Sequence, residues 1–343
     1  MSQQQLHGAA LRLGFDGFMH RLRAPWVALA LACSGSLVCS PVMAWNDFGH
    51  MTVAAVAWQH LRPAARTRVS QLLRLNPDYA RWIDGVATQD RDVTAFLRAA
   101  TWPDAIKHEP GHLDDGESPA GPDANLNIGY EDLREHRYWH YVDVPFSTDG
   151  TPVPPVPAPN AATRIADFRQ VLADPRAPAL LKSYDLTWLL HLVGDIHQPL
   201  HAVSRFTQEL PLGDVGGNRV RLCAPPCRRE LHFFWDQALG RGTPEQAVAL
   251  ARHLPTPAPR RVADTAIGAW VEESGELARR VAYASPIGPG SGPYALTDAY
   301  RDQARIIAGE RVALAGRRLA VLLNGALAAG GSPRVLPGSG SPP

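Results

Sequence analysis

HLVGDIHQPLH, residues 191–201, packs three imidazoles and one carboxylate into eleven positions of a chain that has only 13 histidines in 343 residues. The residues leading into it have the apolar spacing of a buried helix. On a helix that ends near His197, His191 and Asp195 are four apart, so they project from one face and can bind the same ion. Pro199 disrupts the helix and redirects Leu200 and His201. The spacing therefore predicts two ligands before a kink and one after it, serving two neighbouring metal ions. His197, offset by six from His191, points elsewhere and reads as a hydrogen-bonding residue.

A second i, i+4 pair lies in Leu231-His232-Phe-Phe-Trp-Asp236. One such pair alone reads as a surface or capping contact. Two pairs framed by Trp and Leu place their polar atoms in apolar settings, where unpaired imidazoles and carboxylates are costly and a divalent cation satisfies them. Further candidates are Asp104 in Thr101-Trp-Pro-Asp104, His140 in Tyr138-Trp-His-Tyr-Val-Asp143, and His50 in Trp45-Asn-Asp-Phe-Gly-His50, each beside Trp or Tyr. Nitrogen and oxygen ligands without thiolate favour zinc, with manganese and iron as alternatives.

The surrounding chain predicts a mainly α fold. Alanine-rich runs with apolar residues three and four apart recur at 50–60, 64–75, 161–173, 183–198, 244–253, 262–283 and 298–328. Strand candidates are confined to 138–144 and 219–222. Two long loops, 107–130 and 145–160, separate the helices; loops this long in a compact domain are usually functional or mobile. Neither is a domain boundary, because candidates for one site lie on both sides of each. One domain over 45–329 is expected, followed by a Gly/Ser/Pro tail at 330–343 that reads as disordered.

Residues 1–44 combine Arg12, Arg21 and Arg23 with the apolar run Trp26–Cys33 and end in Val42-Met-Ala44, the pattern of a secretory signal cleaved after Ala44. The apolar run is too short for a comfortable membrane span, the alternative reading. Hydrophobic residues make up 45% of the chain and charged residues 20%, which excludes wholesale disorder. A formal net charge of +1 gives no hint of a nucleic-acid partner. Beyond the leader only Cys223 and Cys227 remain, and a local disulfide is the favoured reading in an oxidising compartment. Their spacing also suits a metal loop, but no second cysteine pair exists to complete one.

Taken in order, these residues resemble the zinc-dependent nucleases of the S-one/P-one type, single-strand nucleases that are also 3′-nucleotidases, whose compact multi-helix bundle is shared with zinc phospholipases C. The resemblance runs through Trp45 and His50, Trp-Pro-Asp104, His140-Tyr-Val-Asp143, His191-x3-Asp195-x5-His201, Gly216-Gly-Asn218 and His232-x3-Asp236. It implies three zinc ions: one held by Asp104, His140, His191 and Asp195, a second by His201, His232 and Asp236, and a third by His50, Asp195 and the terminal amine and carbonyl of Trp45. Asp104 would orient the attacking water and Asp195 would bridge two ions. Tyr141 takes the family's base-stacking position and Asp143 its base-contacting one. Lys107 stands where the family commonly has an arginine near the scissile phosphate, and Asn218 belongs to a loop close to the metals. The implied protein is a secreted or periplasmic monomer with no stable protein partner and no membrane association after signal cleavage, hydrolysing single-stranded RNA and DNA to 5′-phosphate products and acting also as a 3′-nucleotidase. The nearest rival, a zinc phospholipase C, has the first histidine farther from the terminal Trp and glutamate in place of Asp236. A non-catalytic secreted zinc-binding protein is the other alternative.

Overall fold

The computed structural model describes residues 45–224 and 229–327. The expected leader, the tail from 330 and Cys227 lie outside the described residues. Twelve α-helices are described: α1 (Asp47–His60), α2 (Pro63–Leu73), α3 (Tyr79–Trp82), α4 (Arg91–Ala99), α5 (Trp102–Ala105), α6 (Ala161–Ala173), α7 (Ala179–Asp195), α8 (Leu231–Asp236), α9 (Pro244–Ala251), α10 (Pro259–Ala263), α11 (Ile267–Leu277) and α12 (Asp298–Ala326). Two short strands, β1 (Val144–Ser147) and β2 (Val203–Phe206), pair in parallel with Val144 opposite Val203. The fold is mainly α, as the spacing predicts. No helix among the described residues is long and apolar enough to cross a membrane.

Two helices make the core. α1 is buried on all sides from Phe48 to Ala57 and α7 from Lys182 to Asp195, the pattern of helices enclosed by others rather than laid on a surface. α1 starts on Asn46, whose Oδ1 accepts from the Gly49 amide while its Nδ2 donates to Gln237 and the Gly240 carbonyl. The cap thus ties the start of α1 to the chain just after α8. Gly316 of α12 faces α1 so closely that an added Cβ would stand 2.6 Å from the Val53 carbonyl. Backbone cannot move aside as a flexible side chain does, so Gly316→Ala is expected to cost about 1–3 kcal/mol. Thermal unfolding should register this as a fall in Tm of several degrees, and an unchanged Tm would refute the close approach.

The chain departs from expectation in three places. α7 ends at Asp195, not near His197, because Gln198 before Pro199 takes extended backbone, as residues preceding proline do. Tyr138–His140 lie in a 3-10 turn, and the strand begins only at Val144. The 219–222 candidate makes no strand beyond an isolated bridge between Arg221 and Glu230. α3 and α4 lie in a stretch for which no helix was foreseen.

Behind α7, Glu273 of α11 accepts from Arg261 of α10 and from Arg311 and Arg318 of α12 at 2.9–3.2 Å. Burial alone would push its carboxyl up, but the three guanidiniums outweigh this and bring it down to about 2, from an ordinary 4.5. A carboxyl depressed in the folded state contributes stability that is present above about 4.5 and is lost as pH falls toward 2. The stability gap between the native chain and Glu273→Gln, measured by urea unfolding, should therefore narrow across that window. A gap independent of pH there would contradict the ionised cluster.

Candidate metal centre

Eight side chains from six segments converge where α1, α5, α7 and α8 meet the β1–β2 ladder. They form three buried groups: His50, His191 and Asp195; Asp104, His140 and His191; and His201, His232 and Asp236, with the ligand atoms of each group within 4.8 Å of one another. The ladder accounts for the meeting of His140 and His201. Parallel pairing brings the chain before β1 against the chain before β2, with the Val142 amide donating to the His201 carbonyl at 2.8 Å.

Asp195 divides its oxygens between the first two groups. Oδ1 lies 3.2 Å from His50 Nε2, and Oδ2 lies 3.2 Å from both His140 Nδ1 and His191 Nε2. That division is what a bridging carboxylate requires. His191 belongs to both groups, and its ring stacks on His50 with centroids 3.8 Å apart.

The histidine tautomers follow from the backbone. Nδ1 of His191 donates to the Ala100 carbonyl, that of His201 to the His140 carbonyl and that of His232 to the Gly216 carbonyl, each at 2.7 Å. Each ring is left with a bare Nε2. Those bare nitrogens face other nitrogens: His232 Nε2 is 3.0 Å from His201 Nε2, and His191 Nε2 is 2.9 Å from His140 Nδ1. Opposed lone pairs at such distances repel unless a cation or proton lies between them. Among the described residues, Asp104 Oδ2, Asp195 Oδ1 and both His50 nitrogens make no hydrogen bond.

Electrostatics point the same way. Burial holds the His50, His140 and His201 imidazoles below their ordinary value, and brings His191 to about 4. Burial pushes Asp236 well up and Asp195 to about 7, although His50 pulls the latter back. In Asp104 burial is outweighed by Lys107, His191 and His50, and the carboxyl falls to about 2. Neutral imidazoles and strained carboxylates in a dry pocket form a donor set that divalent cations satisfy. The residues fit metal ions that take nitrogen and oxygen ligands.

The remaining candidates stand close by. The Lys107 ammonium is buried and donates to Asp104 Oδ1 at 2.8 Å, rather than lying in solvent. The Tyr141 ring is buried, its hydroxyl donating to the Glu117 carbonyl and carboxylate. Asp143 has a φ of +53°, a left-handed conformation that Asp tolerates, and burial with Asp214 and Glu117 nearby pushes its carboxyl up to about 8. Asn218 turns its amide onto its own loop, donating to the Val215 carbonyl, so Gly216 rather than Asn218 touches the metal groups. A Cβ at Gly216, where φ is +57°, would collide with the Leu200 carbonyl. The Trp45 indole donates to the Gly194 carbonyl at 3.1 Å. His197 lies outside the groups: Nδ1 donates to Val193 and Nε2 accepts from Arg318.

Two contacts escaped the sequence. Gln198 donates to Asp236 Oδ1 and accepts from the Leu200 amide, and Glu117 holds the Tyr141 hydroxyl. A polar residue directly before Pro199, inside a cluster of candidate ligands, was the available signal for the first; nothing local marks the second.

A mainly helical fold with three adjoining buried His/Asp groups that fit metal sites defines the class of protein. A family model described as S1/P1 Nuclease matches residues 45–328, and the chain belongs to that family. Among curated proteins it is similar to Nuclease P1 of Penicillium citrinum, 24% identical over 56% of this chain and 57% of that protein. It is also similar to Endonuclease 1 of Arabidopsis thaliana, 26% identical over 58% of this chain and 55% of that protein. The chain thus spans little more than half the length of the curated relatives it matches.

Proposed function

We propose that this protein is a secreted or periplasmic zinc-dependent endonuclease that hydrolyses single-stranded RNA and DNA to 5′-phosphate products and removes phosphate from 3′-nucleotides. The observation that carries the reading is the convergence of eight buried His and Asp side chains into three adjoining groups, with the two oxygens of Asp195 facing different histidines. His50, Asp195 and the terminal amine and carbonyl of Trp45 would hold one zinc ion, Asp104, His140, His191 and Asp195 another, and His201, His232 and Asp236 the third. Bound there, zinc supplies water acidified to near-neutral pKa and neutralises charge on the phosphate and leaving oxygens.

The chain's own groups do the rest. Asp104, ionised across the neutral range, accepts a hydrogen bond from the attacking water and orients it. Lys107 brings a cation beside Asp104 for a non-bridging phosphate oxygen, as a point charge without the planar fork of arginine. Tyr141, buried with its hydroxyl tied to Glu117, would stack a base once Glu117 releases it, which suits a nuclease with loose sequence preference because every base has a flat face. Asp143 meets the base edge with a carboxyl that is largely protonated near neutrality, so it both donates and accepts. The depth of the groups favours a single strand, whose phosphate bends inward without the unpairing a duplex requires. Asn218 keeps a part through the loop it braces beside His232. A Cys223–Cys227 bridge closes the loop ahead of α8. The protein acts as a monomer without a stable protein partner.

The test is metal content measured together with cleavage. Protein starting at Trp45 should hold about three zinc ions, cleave single-stranded DNA and RNA and leave 5′-phosphate ends. Zinc bound without phosphodiester cleavage, or hydrolysis of a choline phospholipid instead, would replace the reading.

A further inference from the structure

Between Asp195 and His201 the chain passes through Ile196, His197, Gln198, Pro199 and Leu200, and the first two are held from behind. The carbonyls at the end of α7 have no partner within the helix. The Ile196 carbonyl accepts from Ser274 Oγ, and the His197 carbonyl from Arg311 Nε at 3.0 Å. Arg311 also donates to Ser274 Oγ at 2.7 Å, so the hydroxyl's own proton is shared between the Ile196 and Trp270 carbonyls. Arg318 donates to His197 Nε2 at 3.0 Å while gripping both oxygens of Glu273 at 2.9 Å. Arg311 and Arg318 are 1% and 0% exposed, and none of these residues belongs to a metal group.

We infer that Glu273, Arg311, Arg318 and Ser274 form a positioning clamp for this turn, fixing the distance between Asp195 and His201 and so between the neighbouring metal ions. Stability alone is a weak reason for two buried guanidiniums, since well-packed apolar residues usually serve as well or better. What the planar forks add is direction: each reaches the turn and Glu273 together. The turn in turn carries Gln198, which orients Asp236. Movement of this segment would therefore disturb ligands of every group. The inference rests on the metal-centre reading of the eight side chains.

The test uses the mature, metal-loaded chain with Arg311→Lys, Arg318→Lys and Ser274→Ala. Lysine keeps the charge beside Glu273 but loses the fork, and Ser274→Ala removes one hydroxyl should a lysine variant fail to fold. Val69→Ala, a cavity at a fully buried position of α2, which carries neither a clamp residue nor a metal-group residue, is the stability control. The expected result is zinc binding about 10–100-fold weaker for at least one ion, a lowered kcat with KM unchanged, and altered visible bands of the cobalt(II)-substituted clamp variants. Val69→Ala should lose Tm alone. Clamp variants that lose only stability, with metal affinity, cobalt spectrum and kcat unaltered, would overturn the inference. A native chain that neither binds metal nor cleaves would instead sink the functional reading beneath it.

Discussion

Asp195→Asn is expected to abolish most of the activity while leaving the fold in place. Asparagine keeps the shape of the side chain, so the end of α7 and its packing survive. What disappears is the negative charge between His50 on one side and His140 and His191 on the other. Losing the carboxylate that would hold two ions removes several kcal/mol of transition-state charge stabilisation, and about 1.36 kcal/mol is a factor of ten in rate, so a loss of roughly a thousandfold should follow. Zinc content should fall as well, because the carboxylate faces two groups at once. The comparison that gives this meaning is Asp185→Asn, ten residues earlier on the same helix. Asp185 is also buried and pushed up to about 7 by its burial, but its oxygens accept from Asn127 and it belongs to no metal group. Single-strand hydrolysis and metal content near native for Asp185→Asn, with both lost in Asp195→Asn, are the expected pair. Equal effects at the two sites would mean that burial, and not metal binding, explains Asp195.

The contrast between these two aspartates shows what the sequence can disclose. Helical spacing is local, so the pairing of His191 with Asp195 and of His232 with Asp236 could be read from four-residue offsets alone. The long helical segments were legible for the same reason. What brings His140 to His201 is a parallel pairing of two four-residue strands some sixty residues apart, and no local pattern announces it. α4 escaped although Val93, Phe96, Leu97 and Ala100 stand three and four apart, because nine residues are too short a window for a helical period to declare itself. Arg311 and Arg318 read as ordinary polar positions of a long helix, yet both point inward to Glu273, a partner set by tertiary packing. The end of α7 was placed two residues late because the extended backbone forced ahead of Pro199 acts through Gln198 and not at the proline itself.

A chain that begins at Trp45 carries the second large effect. Protein beginning at Trp45 should bind its full zinc complement, and the same chain with residues retained ahead of Trp45 should lose an ion and more than about a hundredfold in rate, the upper end of what disturbing a metal's surroundings costs. A peptide nitrogen shares its lone pair with the carbonyl and makes a poor ligand, whereas a free α-amine titrates near 7.7–8.0 and offers that pair to a cation. Local structure puts Trp45 in the right neighbourhood. Its indole is fixed to the Gly194 carbonyl, the next amide donates to the Asp236 carbonyl at 3.2 Å, and His50 follows on the first turns of α1. Acetylating the amine of the mature form adds one small group and removes the lone pair, so it should reproduce the loss without any extension. Were the extended and acetylated forms to keep both metal and rate, Trp45 would be a packing residue only, and the first group would have to complete its shell from His50, His191 and Asp195 without the terminus.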